Sequence, residues 1–176
     1  MARTLVRGRA TVNEPTRQLA DLYVRHVPAA NRLAFLLTGE RTQAEDLVHD
    51  AFVRCVGRFG HLRAHEAFEA YLRRAIVNLH ASRLRRVRVE RTWLAGVRAA
   101  ARTPSVSMPD VETREDLWRR LLELPPRQRA VLVLRYYEDL SEREAAETLR
   151  CSVAAVKSLT ARAVGALREG IRGEDG

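Results

Sequence analysis

The side chains best suited to nucleic-acid chemistry fall on two stretches of this chain. Along the first, Arg74, Val77, Asn78, Ala81, Arg85 and Arg88 recur at helical spacing and line up on one face. Asn and Arg are the side chains that read adenine and guanine edges, and both also hold phosphate. Arg83, Arg86 and Arg91 make the far end of the same stretch strongly cationic. The second stretch, SEREAAETLRCSVAAVKSLTARAVGAL from Ser141 to Leu167, reads as two short helices joined by a turn at Arg150-Cys151. Ser141 and Glu144 have capping-box spacing, and Ser152 can cap the following helix. Val153, Val156, Thr160, Ala163, Val164 and Leu167 are expected to point inward. Ala154, Ala155, Ser158, Leu159 and Arg162 then face out, with Lys157 at the margin. Small residues at the tip with cations beside them let a helix press into a DNA major groove.

A third set has the opposite sign. Asp46 and Asp50 stand four apart with His49 between them, on the outer side of an amphipathic stretch. Like charges at that spacing cost an isolated helix about 0.2–0.5 kcal/mol, offset in part by the dipole of a nearby helix N-terminus. An acidic face in a basic chain suits a basic partner rather than DNA. Each of these charged faces can also be read as a solvated surface.

Other chemistries are not supported. Cys55 and Cys151 lie far apart with no CxxC or His-Cys cluster around them, so both are expected reduced and structural. The stretch GRFGHLRAHE contains His61 and His65, but neither has a carboxylate or Cys at ligand spacing, and no metal site is expected. There are no paired carboxylates in a plausible cleft, no Ser/His/Asp or Cys/His set and no phosphate-binding Gly loop. The chain is therefore expected to be no enzyme and to carry no cofactor.

Net charge points the same way. With Lys+Arg 31 against Asp+Glu 22, the 176 residues carry +9, with a pI near 10.8, a balance that suits a polyanion. Every cation but Lys157 is Arg, whose planar fork pairs bidentately with phosphate or guanine. Codon bias in a GC-rich genome contributes to that ratio but does not explain the net charge. No run approaches the roughly 18 consecutive apolar residues of a membrane span, and the N-terminal stretch MARTLVRGRATVNEP has no apolar core of a secretory signal. No membrane insertion and a cytoplasmic location are expected.

Periodicity supplies helices to position these residues, and no strand is needed. Residues 1–14 read as a disordered basic tail. Thr16 to Leu37 fits two helices with Pro28 at the joint, stopped by Thr38-Gly39-Glu40. Thr42 to Phe59 carries a continuous inner stripe of Ala44, Leu47, Val48, Ala51, Phe52, Cys55, Val56 and Phe59. Gly57 to Glu66 is a loop. Ala67 to about Arg88 is a long helix buried through Phe68, Tyr71, Leu72, Ala75, Ile76 and Leu79. Pro104 and Pro109 with two serines mark a linker. Asp116 to Leu124 and Arg127 to Tyr137 are helices separated by Pro125-Pro126, with Leu117 and Tyr137 among their inward residues. The expectation is an all-α chain with two helical domains, 15–97 and 113–172, joined by a flexible linker, 98–112.

This order resembles that of a bacterial RNA polymerase sigma factor of the extracytoplasmic-function (group 4) type, over about Leu19 to Arg168. LTGERTQAEDLVHDAFVRC and FEAYLRRAIVNLHASRLRR look like parts of the family's region 2. LLELPPRQRAVLVLRYYEDLSEREAAETLRCSVAAVKSLTARA looks like its region 4, and the LPPRQRAVLVLRYYEDLS run and the VKS-x-T-x-R pattern are especially like the SigE-like subfamily.

The resemblance implies a factor that binds core RNA polymerase and directs promoter recognition, DNA opening and transcription initiation. It implies that Asp46, His49, Asp50 and Val53 dock on the β′ clamp helices and that region 4 meets the β flap. His61 and Arg63 lie in the loop where the family captures a flipped base of the opened −10 element. Arg74, Asn78, Arg85 and Arg88 lie where it holds −10 DNA. Ser152, Ala155, Lys157, Ser158, Leu159 and Arg162 lie at the helix that reads the −35 element. The family's linker runs through the RNA-exit path, and an anti-sigma factor is a common partner. Arg150 stands where Gly is usual in the turn, so a left-handed conformation there would cost roughly 1 kcal/mol. Ala155 and Leu159 replace polar residues, which implies weaker or altered −35 reading.

Two other readings remain at this level. A stand-alone helix-turn-helix regulator would bind a palindromic site as a dimer without polymerase, but no dimerisation helix is evident and the acidic face would be unexplained. A structured-RNA binder is compatible with the charge alone.

Overall fold

The computed structural model describes residues 14–56, 65–94 and 112–172, and all its regular elements are helical. Three helices form a first lobe: α1 (Glu14–Thr38), α2 (Arg41–Val56) and α3 (His65–Leu94). The second lobe has α4 (Glu112–Glu123), α5 (Pro126–Leu132) running into a π-helical turn (Val133–Tyr137), α6 (Glu142–Leu149) and α7 (Val153–Arg172). Residues 1–13, 57–64 and 95–111 lie outside the described residues, and with them Phe59 and most of the expected tail (1–14), loop (57–66) and linker (98–112); Glu14, His65, Glu66 and Glu112, expected in those segments, are helical.

The α1 region differs from expectation. It is one helix with Pro28 inside it, not two. A mid-helix proline leaves the carbonyl four residues back without its donor. Here that carbonyl belongs to Val24, and both Val24 and Pro28 are exposed, so water can take the missing donor's place. Leu22 before the proline and Ala30, Leu33, Ala34 and Leu37 after it enter one core, which holds the two halves in line.

At Thr38-Gly39-Glu40 the chain reverses as expected. Gly39 has φ +78 and donates to the Phe35 carbonyl at 2.8 Å, a left-handed helix stop that glycine adopts without strain. Glu40 then caps α2, accepting from the Thr42 and Gln43 amides at 2.7 and 2.9 Å. These bonds favour the charged carboxylate and lower its pKa. The α2 stripe is buried from Ala44 to Cys55, while Val56 is exposed. Helix α3 closes the lobe with Phe68, Leu72, Ile76 and Leu79, and Phe68 meets Phe52 edge-on at 5.6 Å.

In the second lobe, Pro126 occupies the first turn of α5, where its lacking N–H costs nothing. The expected helix to Tyr137 changes type at Val133, and Glu138 donates five residues back to the Val133 carbonyl at 3.0 Å. That wider turn leaves Tyr137 exposed rather than inward. Leu117, also expected inward, is exposed on α4, and Val153 is exposed at the start of α7. Leu124, Leu132 and Ala163 close a small satellite core beneath Leu121, Val164 and Leu167.

The lobes pack on each other. Their main core is continuous, running from Leu22 of α1 to Val156 of α7. Phe35 of α1 stacks on Trp118 of α4 with ring centroids 4.9 Å apart and planes 11° from parallel. α6 lies against α3, and α5 and the π-turn lie against α1.

Candidate nucleic-acid interface

The helix-turn-helix forms as its sequence specifies. Ser141 Oγ accepts from the Glu144 amide at 3.2 Å, and the Glu144 carboxylate accepts from the Ser141 amide at 2.8 Å. The Ser141 hydroxyl also donates to the Glu144 carboxylate at 2.5 Å, and that bond first, then the one from the Ser141 amide, lowers the Glu144 pKa. Ala145 and Ala146 are buried, which lets α6 approach closely. Arg150 ends α6 in the left-handed conformation, at φ 52 and ψ 52, the strained choice for a residue with a Cβ. Ser152 caps α7 by accepting from the Ala155 amide at 3.1 Å.

On α7 the exposed side carries Ala154, Lys157, Ser158 and Arg162. Lys157 is paired with Glu142 at 3.5 Å, an open contact that a phosphate can replace. Arg162 Nε donates to the Ser158 carbonyl at 3.3 Å, which lays its guanidinium along the helix surface. Ala155 is half-buried. So is Leu159, which packs against the main core. Of the six residues expected at the −35 element, four present exposed side chains: Ser152, Lys157, Ser158 and Arg162.

The expected −10 face is less open. Arg74 and Arg85 are exposed on α3. Asn78 is half-buried and donates its amide to the Arg74 carbonyl at 2.8 Å. Arg88 lies on α3, but its side chain is outside the described residues, as are His61 and Arg63 altogether. Val77, expected outward between Arg74 and Asn78, is 3% exposed. It belongs to the core that also holds Ala145 and Ala146 of α6. α6 packs against the same helix.

The acidic set is solvent-facing. Asp46, His49, Asp50 and Val53 are all exposed on α2, Val53 at 57%. Exposed Tyr23, Val24 and Val56 belong to the same lobe, and Tyr23, Val27, Asn31, Asp46 and His49 line a shallow groove between α1 and α2. The Asn31 side-chain oxygen is buried there with no hydrogen-bond partner. Sequence reasoning placed Arg83 only at the cationic end of α3 and missed its contact here, where its guanidinium bridges the Asp50 carboxylate at 2.8 Å and the Asp46 carbonyl at 3.4 Å. That contact spans α2 and α3, so neither helix's periodicity could reveal it.

Two further half-buried polar residues sit where the lobes meet. Arg129 is desolvated, which lowers its pKa, and donates to the carbonyls of Leu37 at 2.8 Å and Leu122 at 2.6 Å. Its neighbour His80 is held down to a pKa of about 4 by burial first, then by the charges of Arg129 and Arg83. It is therefore a neutral imidazole at pH 7. Among the described residues no group of His, Cys, Asp or Glu could hold a metal ion, and no helix is long and apolar enough to cross a membrane. Burial raises the Cys55 thiol to about 11, far from the thiolate that reactivity requires.

Comparison with known proteins places both lobes. Residues 22–90 match the family described as sigma-70 region 2, and residues 114–167 match sigma-70, region 4. The RNA polymerase sigma-E factor of Streptomyces avermitilis is 34% identical over 153 residues, covering 82% of this chain and 79% of that one. The ECF RNA polymerase sigma factor SigW of Bacillus subtilis is 26% identical over 153 residues, covering 80% and 82%. Among solved structures, the sigma factor RpoE of Bartonella quintana, in complex with the anti-sigma factor NepR, shares the fold. Its TM-score is 0.72 at 22% identity, over 89% of this chain and 98% of that one.

Proposed function

From the premise that the chain belongs to the sigma-70 family, in its extracytoplasmic-function group, we propose how its surfaces divide the work of a sigma factor that directs transcription initiation. Sigma regions 2 and 4 bind core RNA polymerase and promoter DNA. In this chain, Asp46, His49, Asp50 and Val53 meet the β′ clamp helices, and the second lobe meets the β flap. Arg74, Asn78, Arg85 and Arg88 hold the −10 strand, while His61 and Arg63 flank the captured base. Ser152, Lys157, Ser158 and Arg162 contact the −35 duplex, with Ala155 and Leu159 supplying apolar contact at most. The domains run 15–97 and 113–172 with the linker at 98–112. The protein acts in the cytoplasm, without a catalytic step of its own. An anti-sigma factor holds it there until a signal releases it, as NepR holds the structural neighbour from Bartonella.

One observation carries the assignment of the polymerase surface. A chain of net charge +9 gathers Asp46 and Asp50 with exposed Val53 on a single helix face. Apolar area ringed by charge of the minority sign suits a basic protein groove and repels DNA. A stand-alone regulator would have no use for it.

A pull-down with bacterial core RNA polymerase tests this directly. Wild type is expected to be retained and Asp46→Arg/Asp50→Arg to be lost while keeping its helical circular dichroism. Equal retention of both proteins would move the docking surface elsewhere.

A further inference from the structure

Over its first three turns α7 exposes two cations, Lys157 and Arg162, and their settings differ. Arg162 lies along its own helix, with Nε donating to the Ser158 carbonyl at 3.3 Å. Lys157 reaches across to the neighbouring helix instead. Its Nζ stands 3.5 Å from Oε2 of Glu142, the first residue of α6.

The capping of α6 does not use Glu142. Of the two acids in that first turn, Glu144 is committed to Ser141, accepting from its amide at 2.8 Å and its hydroxyl at 2.5 Å. The Glu142 carboxylate is left facing Lys157, and the two side chains stay partly open, at 40% and 65% exposure. In a helix-turn-helix the first helix crosses the DNA backbone, and the amides of a helix N-terminus draw phosphate. A carboxylate at that place opposes the phosphate, well within a Debye length.

A lysine is a compact charge on a flexible stem, and such groups mostly bind phosphate, which carries no sequence information. Glu142 limits both freedoms. It fixes the ammonium near Ala154, exposed one turn earlier on the same face, whose small side chain leaves room for a base edge. An ammonium has three donors. With one turned to Glu142, two remain for the O6 and N7 acceptors of a guanine. An ion pair this open is weak, so the ammonium can lean onto a base without a large loss.

We propose, on the reading of α7 as the −35 helix, that Glu142 is a positioning residue that decides what Lys157 reads: it holds the ammonium over a guanine edge and denies it the phosphate. Arg162 anchors the helix, and Lys157 discriminates.

The test offers holoenzyme, assembled on bacterial core RNA polymerase, promoter-length duplexes randomised at both elements, and the bound duplexes are sequenced. Wild type is expected to favour guanine about tenfold at one −35 position, and Lys157→Met to lose that preference. Glu142→Gln should lose it as well, yet bind the duplex pool about two- to fivefold more tightly. Its slope of log affinity against log salt should steepen by about 1, because the released ammonium takes a phosphate. Glu142→Asp, which keeps the charge, should keep part of the preference. A Glu142→Gln protein with the wild-type preference and slope would overturn the inference and leave Glu142 as a helix-start acid. A Lys157→Met protein with the wild-type preference would overturn it together with the place of Lys157 at the −35 duplex.

Discussion

Arg129 of α5 donates a hydrogen bond across the lobe boundary to the backbone carbonyl of Leu37, 2.8 Å away at the last turn of α1. Its other terminal nitrogen serves Leu122 at the end of α4. Helix C-termini leave carbonyls without intrahelical donors and carry partial negative charge, so one guanidinium satisfies two helix ends without any carboxylate. Only a planar fork reaches both.

Removing that fork should therefore loosen the pair of lobes. Arg129→Met is expected to cost about 2 kcal/mol, at the level of hydrogen bonds from charged groups. Arg129→Lys should recover less than half, because one ammonium cannot span both carbonyls. Urea denaturation followed by circular dichroism measures both. A loss within experimental error would mean that the carbonyls are served equally by water.

His80 makes folding sensitive to mild acid. Its folded pKa, about 4, lies below the ordinary value of 6.5, so the unfolded chain takes up the proton first. Stability is full above 6.5 and is lost as pH falls from there toward 4, by up to about 3 kcal/mol. His80→Gln should flatten the dependence of the urea midpoint between pH 6.5 and 5. In that interval Glu40 and Glu144, both lowered from 4.5, still hold their charge. An unchanged slope in the variant would place the titrating group elsewhere.

Arg150 holds a conformation that suits glycine. Arg150→Gly is expected to raise stability by about 1 kcal/mol, less the entropy glycine loses on folding. For a chain of this size that is roughly 2–4 °C in Tm, readable by differential scanning calorimetry. A drop instead would show that the arginine side chain contributes more than its backbone strain costs.

Arg162 lies on the exposed side of α7 and should contact phosphate. Arg162→Ala in holoenzyme is expected to lower the slope of log affinity against log salt by about 1 at any −35 sequence. A change confined to one base position would assign it to base reading instead.

What the sequence made legible was local. The stripe of α2 from Ala44 to Cys55, the Ser141–Glu144 box, the Gly39 stop and the turn at Arg150 each depend on residues within one or two helical turns, and each formed as expected. The exceptions share a cause. Pro28 argued for a break, but the core on both sides of it held α1 together. Val77 matched an outward periodicity, but it lies in the core the two lobes share. Arg83 with Asp50, and Arg73 with Glu138, join helices 33 and 65 residues apart in sequence. A pattern of period 3.6 marks which face is apolar, not which neighbour will cover it. For the −10 face, that choice of neighbour decides how much of the surface is open.

The contact between Lys157 and Glu142 has one more consequence. Lys157 is the chain's only lysine, and its side chain is 65% exposed on the helix proposed to read the −35 element. Apart from the terminal amine, it is the single primary amine an acylating reagent can find, since guanidinium groups stay protonated and unreactive under the same conditions. Acetylation anywhere along the side chains therefore amounts to one event at one address. It would subtract one charge from the duplex-facing helix, free Glu142, and leave the arginine-built surface of α3 untouched.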